Sequence, residues 1–211
     1  MEYYTTEQIR KIEEDAIRKG MTVEKMMDNA GQGIANFIDK NVSFNKVLFI
    51  AGTGNNGGDA LSAAFHLFSS RPADIEVFVV GRETELKENP LTFLRLIKDM
   101  KDIKVQFLWE TGQLDKFEEE VNNSDLLVIG IFGTGFHGAL NLLDSNVIDI
   151  INKAAVRKIS VDIPSGMNSD TGEFEKAVKS DFTITFNKMK KAFLNKKAQE
   201  TCGNILLVEV I

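Results

Sequence analysis

With one cysteine, three prolines, two histidines and one tryptophan in 211 residues, the chain is short of the side chains that several protein classes depend on. Cys202 has no second cysteine to pair with, so no disulfide framework is possible within the chain. Two histidines and one remote cysteine do not make a zinc site. No Ser-centred elbow supports a hydrolase triad. No apolar run approaches the roughly 18 residues of a membrane span, and the first residues lack the basic-then-apolar order of a signal peptide. Positive charge is also short. The 25 Lys and Arg are outnumbered by 31 Asp and Glu, and a net charge of -6 gives a polyanion no overall attraction. These absences lead us to expect one reduced, soluble, cytoplasmic domain spanning residues 1–211, with neither nucleic acid nor membrane as partner.

What is present begins with helical periodicity. Thr5-Thr6-Glu7-Gln8 has the order of a capping box, and Ile9, Ile12, Ala16 and Ile17 recur at helical spacing until Gly20. Met26, Met27, Ala30, Ile34, Phe37 and Ile38 predict a second helix. From Lys46 the pattern changes to short apolar runs: 46–51, 75–80, 105–108, 126–132, 158–163, 182–186 and 205–210. Helix-like segments at 60–68, 90–100, 114–121 and 140–155 separate most of them. Continuous apolar strands alternating with amphipathic helices predict an α/β fold: a Rossmann-like three-layer αβα sandwich around a mostly parallel sheet, with two extra N-terminal helices. No helical pattern separates the last two strands, so they are expected to form an antiparallel edge.

A sheet of this kind takes ligands beyond the carboxyl ends of its strands. Three glycine-bearing loops fall there: Gly52-Thr-Gly-Asn-Asn-Gly-Gly-Asp59, Gly133-Thr-Gly-Phe-His-Gly138, and the stretch from Asp162-Ile-Pro-Ser165 to Gly172. The first satisfies the bare Gly-x-Gly-x-x-Gly dinucleotide pattern, which alone would suit a conventional dehydrogenase. Asn55, Asn56 and Asp59 are unusual in a loop that only cradles pyrophosphate, because amide oxygens and a carboxylate suit a hard cation or a polyol. In the second loop, Gly133 and Gly135 leave backbone N–H groups open to a phosphate. Asp162 stands at a strand end, where it can act as a general acid or base or merely cap the following turn. His66 reads as a packing residue. Lys188, Lys190, Lys191, Lys196 and Lys197 read as a solvated face.

The loops resemble, as a set and in order, those of the YjeF N-terminal family, the NAD(P)H-hydrate epimerases, also described as apolipoprotein A-I-binding proteins. Met26-Met-Asp-Asn-Ala-Gly31 is similar to the family's Leu-Met-Glu-Asn-Ala-Gly, and Thr185-Phe186 with Lys190 is similar to a late family pattern. The resemblance implies a homodimeric enzyme, working with a separate dehydratase, that interconverts the R and S forms of hydrated NADH and NADPH. It also implies a substrate site of Asn55, Asn56, Gly57, Gly58, Asp59, Gly133, Thr134, Gly135, Phe136, His137, Gly138, Asp162 and Lys190. Asp162 is the expected catalytic group, with Asp59 in reserve. Asn56 and Ser165 would ligate a potassium ion, but the family's aspartate at the third cation position is Ile129 here. The alternative function is a catalytically degenerate domain that binds a nucleotide or a protein.

Overall fold

The computed structural model describes residues 2–71 and 73–211. Strand β1 (Tyr3–Tyr4) leads into helices α1 (Thr6–Arg18) and α2 (Val23–Asn41). The repeating unit follows as β2 (Lys46–Ala51), α3 (Asn55–Ser70), β3 (Asp74–Val80), α4 (Glu88–Asp99), β4 (Lys104–Leu108), α5 (Leu114–Asn122), β5 (Leu126–Gly130), α6 (Leu142–Lys153) and β6 (Arg157–Val161). The chain ends in β7 (Phe182–Phe186), β8 (Met189–Lys190), α7 (Lys196–Cys202) and β9 (Asn204–Val208).

Seven strands form one sheet in the order β4-β3-β2-β5-β6-β7-β9, with every pair parallel. The period-two alternation of each strand divides the apolar residues between two cores. Val47, Phe49, Ala51, Val77, Val79 and Val128 face the layer of α2, α3 and α4. Leu48, Ile50, Phe78, Leu127 and Ile129 face α5 and α6. Burial on both faces is why these strands are apolar throughout rather than alternating.

Three sequence expectations change. The last two strands pair in parallel, from Phe182 with Asn204 to Phe186 with Val208, because α7 carries the chain across between them. That helix is seven residues long, and its start depends on Asn195, whose side chain accepts the Lys197 and Ala198 N–H groups. So short a helix has too few turns to show a period. Next, α3 begins at Asn55 rather than Ala60, so the polar end of the first loop is the helix's own first turn. Lastly, Lys190 is not on a solvated face: it is 1% exposed.

At the far end of the sheet from the loops, Lys46 and Lys104 each bridge Glu76 and Glu120 at 2.8–3.2 Å. The Glu120 carboxyl is held below its ordinary value, chiefly by the hydrogen bond from Lys46. A carboxylate depressed in the folded state adds stability above its unfolded value and loses it as pH falls through the folded one. Parent and Glu120→Gln should therefore differ in urea midpoint at neutral pH, begin to converge as pH falls below about 4.5, the group's ordinary value, and meet only below its lower folded value.

Candidate functional site

Helices lie on both sides of the sheet, and the chain switches sides between the neighbouring strands β2 and β5. Beyond their carboxyl ends opens a cavity of about 550 Å³. Its walls are the turn after β2, the loop after β5, the ends of β6 and β7, and one face of α1.

Glycines allow the two central loops to meet. A Cβ on Gly57 would overlap the Gly52 carbonyl oxygen and stand 2.6 Å from its carbon. A Cβ on Gly52 would overlap the Ile131 oxygen and stand 2.9 Å from its carbon. Both obstacles are backbone, so only hydrogen fits. The second loop is then pinned in place. The Asn56 Nδ2 donates to the Phe132 carbonyl at 2.9 Å, and the Ser165 Oγ accepts from the Phe132 N–H at 3.0 Å. Ser169 donates to the Thr134 carbonyl at 3.2 Å, and the Phe136 ring stacks on Phe132 with centroids 4.8 Å apart.

Asp162 follows β6 with φ of 63°, left-handed and uncommon for a residue with a side chain. Its own N–H donates to the Ile184 carbonyl at 2.7 Å, which holds the backbone in that turn. One carboxylate oxygen, Oδ1, accepts from Lys190 Nζ and, at 3.3 Å each, from Thr185 Oγ1 and the Phe186 N–H. Lys190 also donates to the Phe186 carbonyl at 3.1 Å. The ammonium and carboxylate thus form a buried, hydrogen-bonded pair at the cavity's edge, and backbone strain at such a point is characteristic of functional sites.

Asp59, half-buried near the start of α3, lines the same space. Its carboxyl is pushed well above the ordinary range, first by burial and then by the negative charges of Asp162 and Glu13, with Lys190 opposing. This side chain holds a proton more readily than an ordinary carboxyl, in the same cavity as a carboxylate bonded to a lysine. That contrast of environments is how one site separates proton donor from charge stabiliser.

The family described as YjeF-related protein N-terminus matches residues 23–192. The chain belongs to it. An Archaeoglobus fulgidus relative named "Bifunctional NAD(P)H-hydrate repair enzyme Nnr" is 32% identical over 211 residues, all of this chain and 42% of its own length. A Cenarchaeum symbiosum relative named "NAD(P)H-hydrate epimerase" is 34% identical over 196 residues, 92% of this chain and 88% of its own. The yeast structure titled "ynu0, YNL200c" has a TM-score of 0.80 at 21% identity, covering 91% of this chain and 83% of that one, a likeness of fold. The chain spans about two fifths of the first two curated relatives it matches, 42% and 36% of their lengths.

Among the positions implied by the YjeF-family resemblance, Asn55, Asn56, Asp59, Gly133, Thr134, Gly135, Phe136, His137, Asp162 and Lys190 line the cavity. Gly57 and Gly58 sit in the packed start of α3, the latter against Met27. Gly138 borders a second cavity of about 500 Å³, which shares Phe136 and His137 with the first. His66 instead makes a 2.7 Å hydrogen bond with Asp28 between α3 and α2, the packing role expected of it.

The implied potassium site is only partly furnished. Asn56 Oδ1 is buried without a partner, as a cation ligand would be in the absence of its ion. Ser165 Oγ is already engaged with Phe132. Ile129, at the aspartate position, is fully buried in the apolar cluster with Leu48, Ile50 and Val147. The residues present therefore do not fit a charge-compensated cation site. Among the described residues, no group of three or more His, Cys, Asp or Glu could hold a metal ion.

Sequence reasoning missed Arg10, Glu13, Lys87 and Asp144, which also line the cavity. For Glu13 a signal existed: it lies four residues after Ile9 and three before Ala16, both buried, so a carboxylate interrupts the apolar stripe of α1.

Proposed function

We propose that the protein is an NAD(P)H-hydrate epimerase, interconverting the R and S forms of hydrated NADH and NADPH. The observation that carries this reading is a pair of carboxylates, Asp59 and the lysine-bonded Asp162, lining one cavity at the switch point of the sheet. The names and the coverage of the Archaeoglobus and Cenarchaeum relatives support it.

The chemistry follows from the substrate. The hydrate carries a hydroxyl on a ring carbon bonded to the ring nitrogen. Protonation of that hydroxyl lets the C–O bond break, its electron pair leaving with water while the nitrogen lone pair forms a C=N bond. Water then adds to the opposite face, the nitrogen recovers its pair, and the added water returns a proton to the carboxylate. Asp59 is the proton donor and acceptor, and the negative Asp162 stabilises the cationic ring. The lysine bonded to Asp162 Oδ1 holds that carboxylate in place at the cavity's edge. Glycine-loop N–H groups at 133–135, which line the cavity, would receive the nucleotide phosphates. General acid–base catalysis of this kind contributes about 10²–10⁴-fold.

No step passes through a metal ion, and potassium independence is part of the proposal. In a coupled assay, the protein should accelerate loss of R-hydrate in the presence of an S-specific dehydratase. The rate should agree within about twofold between potassium and tetramethylammonium salts, as the missing carboxylate implies. No acceleration in either salt would overturn the assignment. Buried Ile129 favours one second reading, a nucleotide-binding domain without turnover, which tight hydrate binding in a silent protein would establish. A cytoplasmic homodimer acting with a separate dehydratase completes the proposed setting. Among the described residues, no helix is long and apolar enough to cross a membrane.

A further inference from the structure

The region before the Rossmann-like unit reaches into the cavity and is held there by several independent bonds. Tyr3 and Tyr4 pair in parallel with Met189 and Lys190, so β1 runs beside the lysine that binds Asp162. At the start of α1, the Thr6 N–H donates to Asp170 at 2.6 Å, and its hydroxyl meets Ser169 at 2.6 Å. Ser169 is the residue that also bonds the second glycine loop. A capping box of Thr5 and Gln8 then fixes where the helix begins. With both ends of this connection anchored, the face bearing Ile9, Glu13 and Ala16 is turned inward, and Ile9, Arg10 and Glu13 line the cavity.

We propose that Glu13 is a positioning residue of the proton-transfer site, acting through Asp59 rather than on the substrate. The inference rests on the epimerase reading. Its basis is a count of charges around one cavity. Four acidic groups, Glu13 on α1, Asp59 on α3, Asp144 on α6 and Asp162 after β6, line the cavity with Lys190, and Lys190 is already committed to Asp162. If Glu13 and Asp59 were both ionised, two negative charges would share the cavity with Lys190 already engaged by a third. Their titration is therefore a shared property.

The surroundings decide which group keeps the proton. Burial, then the negative charge of Asp162, pushes the Glu13 carboxyl above its ordinary value, while Lys190 and, one turn earlier on the same helix, Arg10 oppose the shift. Asp59 is pushed well above the ordinary range, and of the charged groups acting on it, Asp162, Glu13 and Lys190, only Lys190 opposes. Lys87, His137 and Asp144 are the other ionisable groups around the cavity. Glu13 thus supplies part of the negative potential that makes Asp59 a proton donor above the ordinary carboxylate range. The apolar stripe of α1 tolerates a carboxylate because the site requires one there.

The test is the pH profile of kcat/KM for R-hydrate consumption, in the full chain, for the parent, Glu13→Gln and Glu13→Asp. Removing the Glu13 charge lowers the Asp59 pKa, so the alkaline limb of the Glu13→Gln profile should move down by about one pH unit. The rate above that limb should fall about tenfold, with the pH-independent maximum and the melting temperature little changed. Glu13→Asp should restore most of the shift. A purely structural Glu13 would lower stability or the whole profile and leave the limb in place, and that result overturns the inference while the epimerase assignment stands. A second readout is independent of turnover: carbon-detected NMR titration of the Asp59 carboxyl should show the same downward shift in Glu13→Gln. An unmoved Asp59 titration overturns the inference even in a protein with no epimerase activity.

Discussion

Asp162→Asn should lower epimerase kcat by about 10²–10⁴-fold, the scale of a lost acid–base or charge-stabilising group. Asparagine is the informative replacement. It keeps the shape of the side chain, and it tolerates the left-handed backbone that Asp162 adopts at φ of 63°. Lost activity would therefore not reflect a rearranged turn. The substitution has a second consequence, because Lys190 is 1% exposed and would keep its charge without its carboxylate. Removing one member of a buried pair typically costs about 3–5 kcal/mol, whereas replacing both by apolar groups is often close to neutral. Lys190→Met alone should be destabilising for the same reason. The double variant Asp162→Asn/Lys190→Met should regain much of the stability but none of the activity. Urea unfolding and the coupled assay on this set of variants separate the two roles of the pair. A double variant as unstable as either single one would show that the pair is not coupled as the geometry indicates.

Gly57→Ala should be the most damaging single methyl in the chain. The new Cβ would collide with the Gly52 carbonyl, and neither the oxygen nor its carbon, 2.6 Å away, belongs to a side chain that can rotate aside. Relief requires moving the turn that joins β2 to α3, and with it the loop that Asn56 pins. We expect a loss of about 3 kcal/mol or more, the upper end of ordinary overpacking. Two neighbours calibrate the result. At Gly58 the obstacle is the Met27 side chain, with its Cε 2.5 Å from the added carbon, and a flexible thioether yields more cheaply. At Gly54 nothing lies within 4 Å. The ranking Gly57 worst, Gly58 intermediate, Gly54 near parent is read directly from urea midpoints, and an equal effect at all three would contradict the tight packing of the turn that joins β2 to α3.

Much of this molecule was legible in its order of residues. The apolar runs, the helices between them and the three glycine loops follow from periodicity and turn chemistry, which are local properties. Local patterning also put Asp59 in the loop after a strand and Asp162 at a strand end, and hence both near a cleft. Less legible was α7, too short to show a period and dependent on its Asn195 cap, so the direction of the last strand was misjudged. Lys190 is the clearer lesson. Among four other lysines it has the composition of a solvated patch, and only its pairing with Asp162 across 28 positions explains its burial.

By itself, then, the sequence determined an α/β fold, the order of its main strands and most of its helices, and which loops follow those strands. Those features depend on residues within a few positions of one another. Only the tertiary structure decided which groups share the cavity: Glu13 from α1, Asp59 from α3, Asp162 after β6 and Lys190 on β8. Charges act on one another through space, so the protonation of Asp59 depends on neighbours far away in the chain. The structure likewise decided the fate of Ile129, since the side of the sheet that a strand residue faces turns a missing ligand into part of an apolar core.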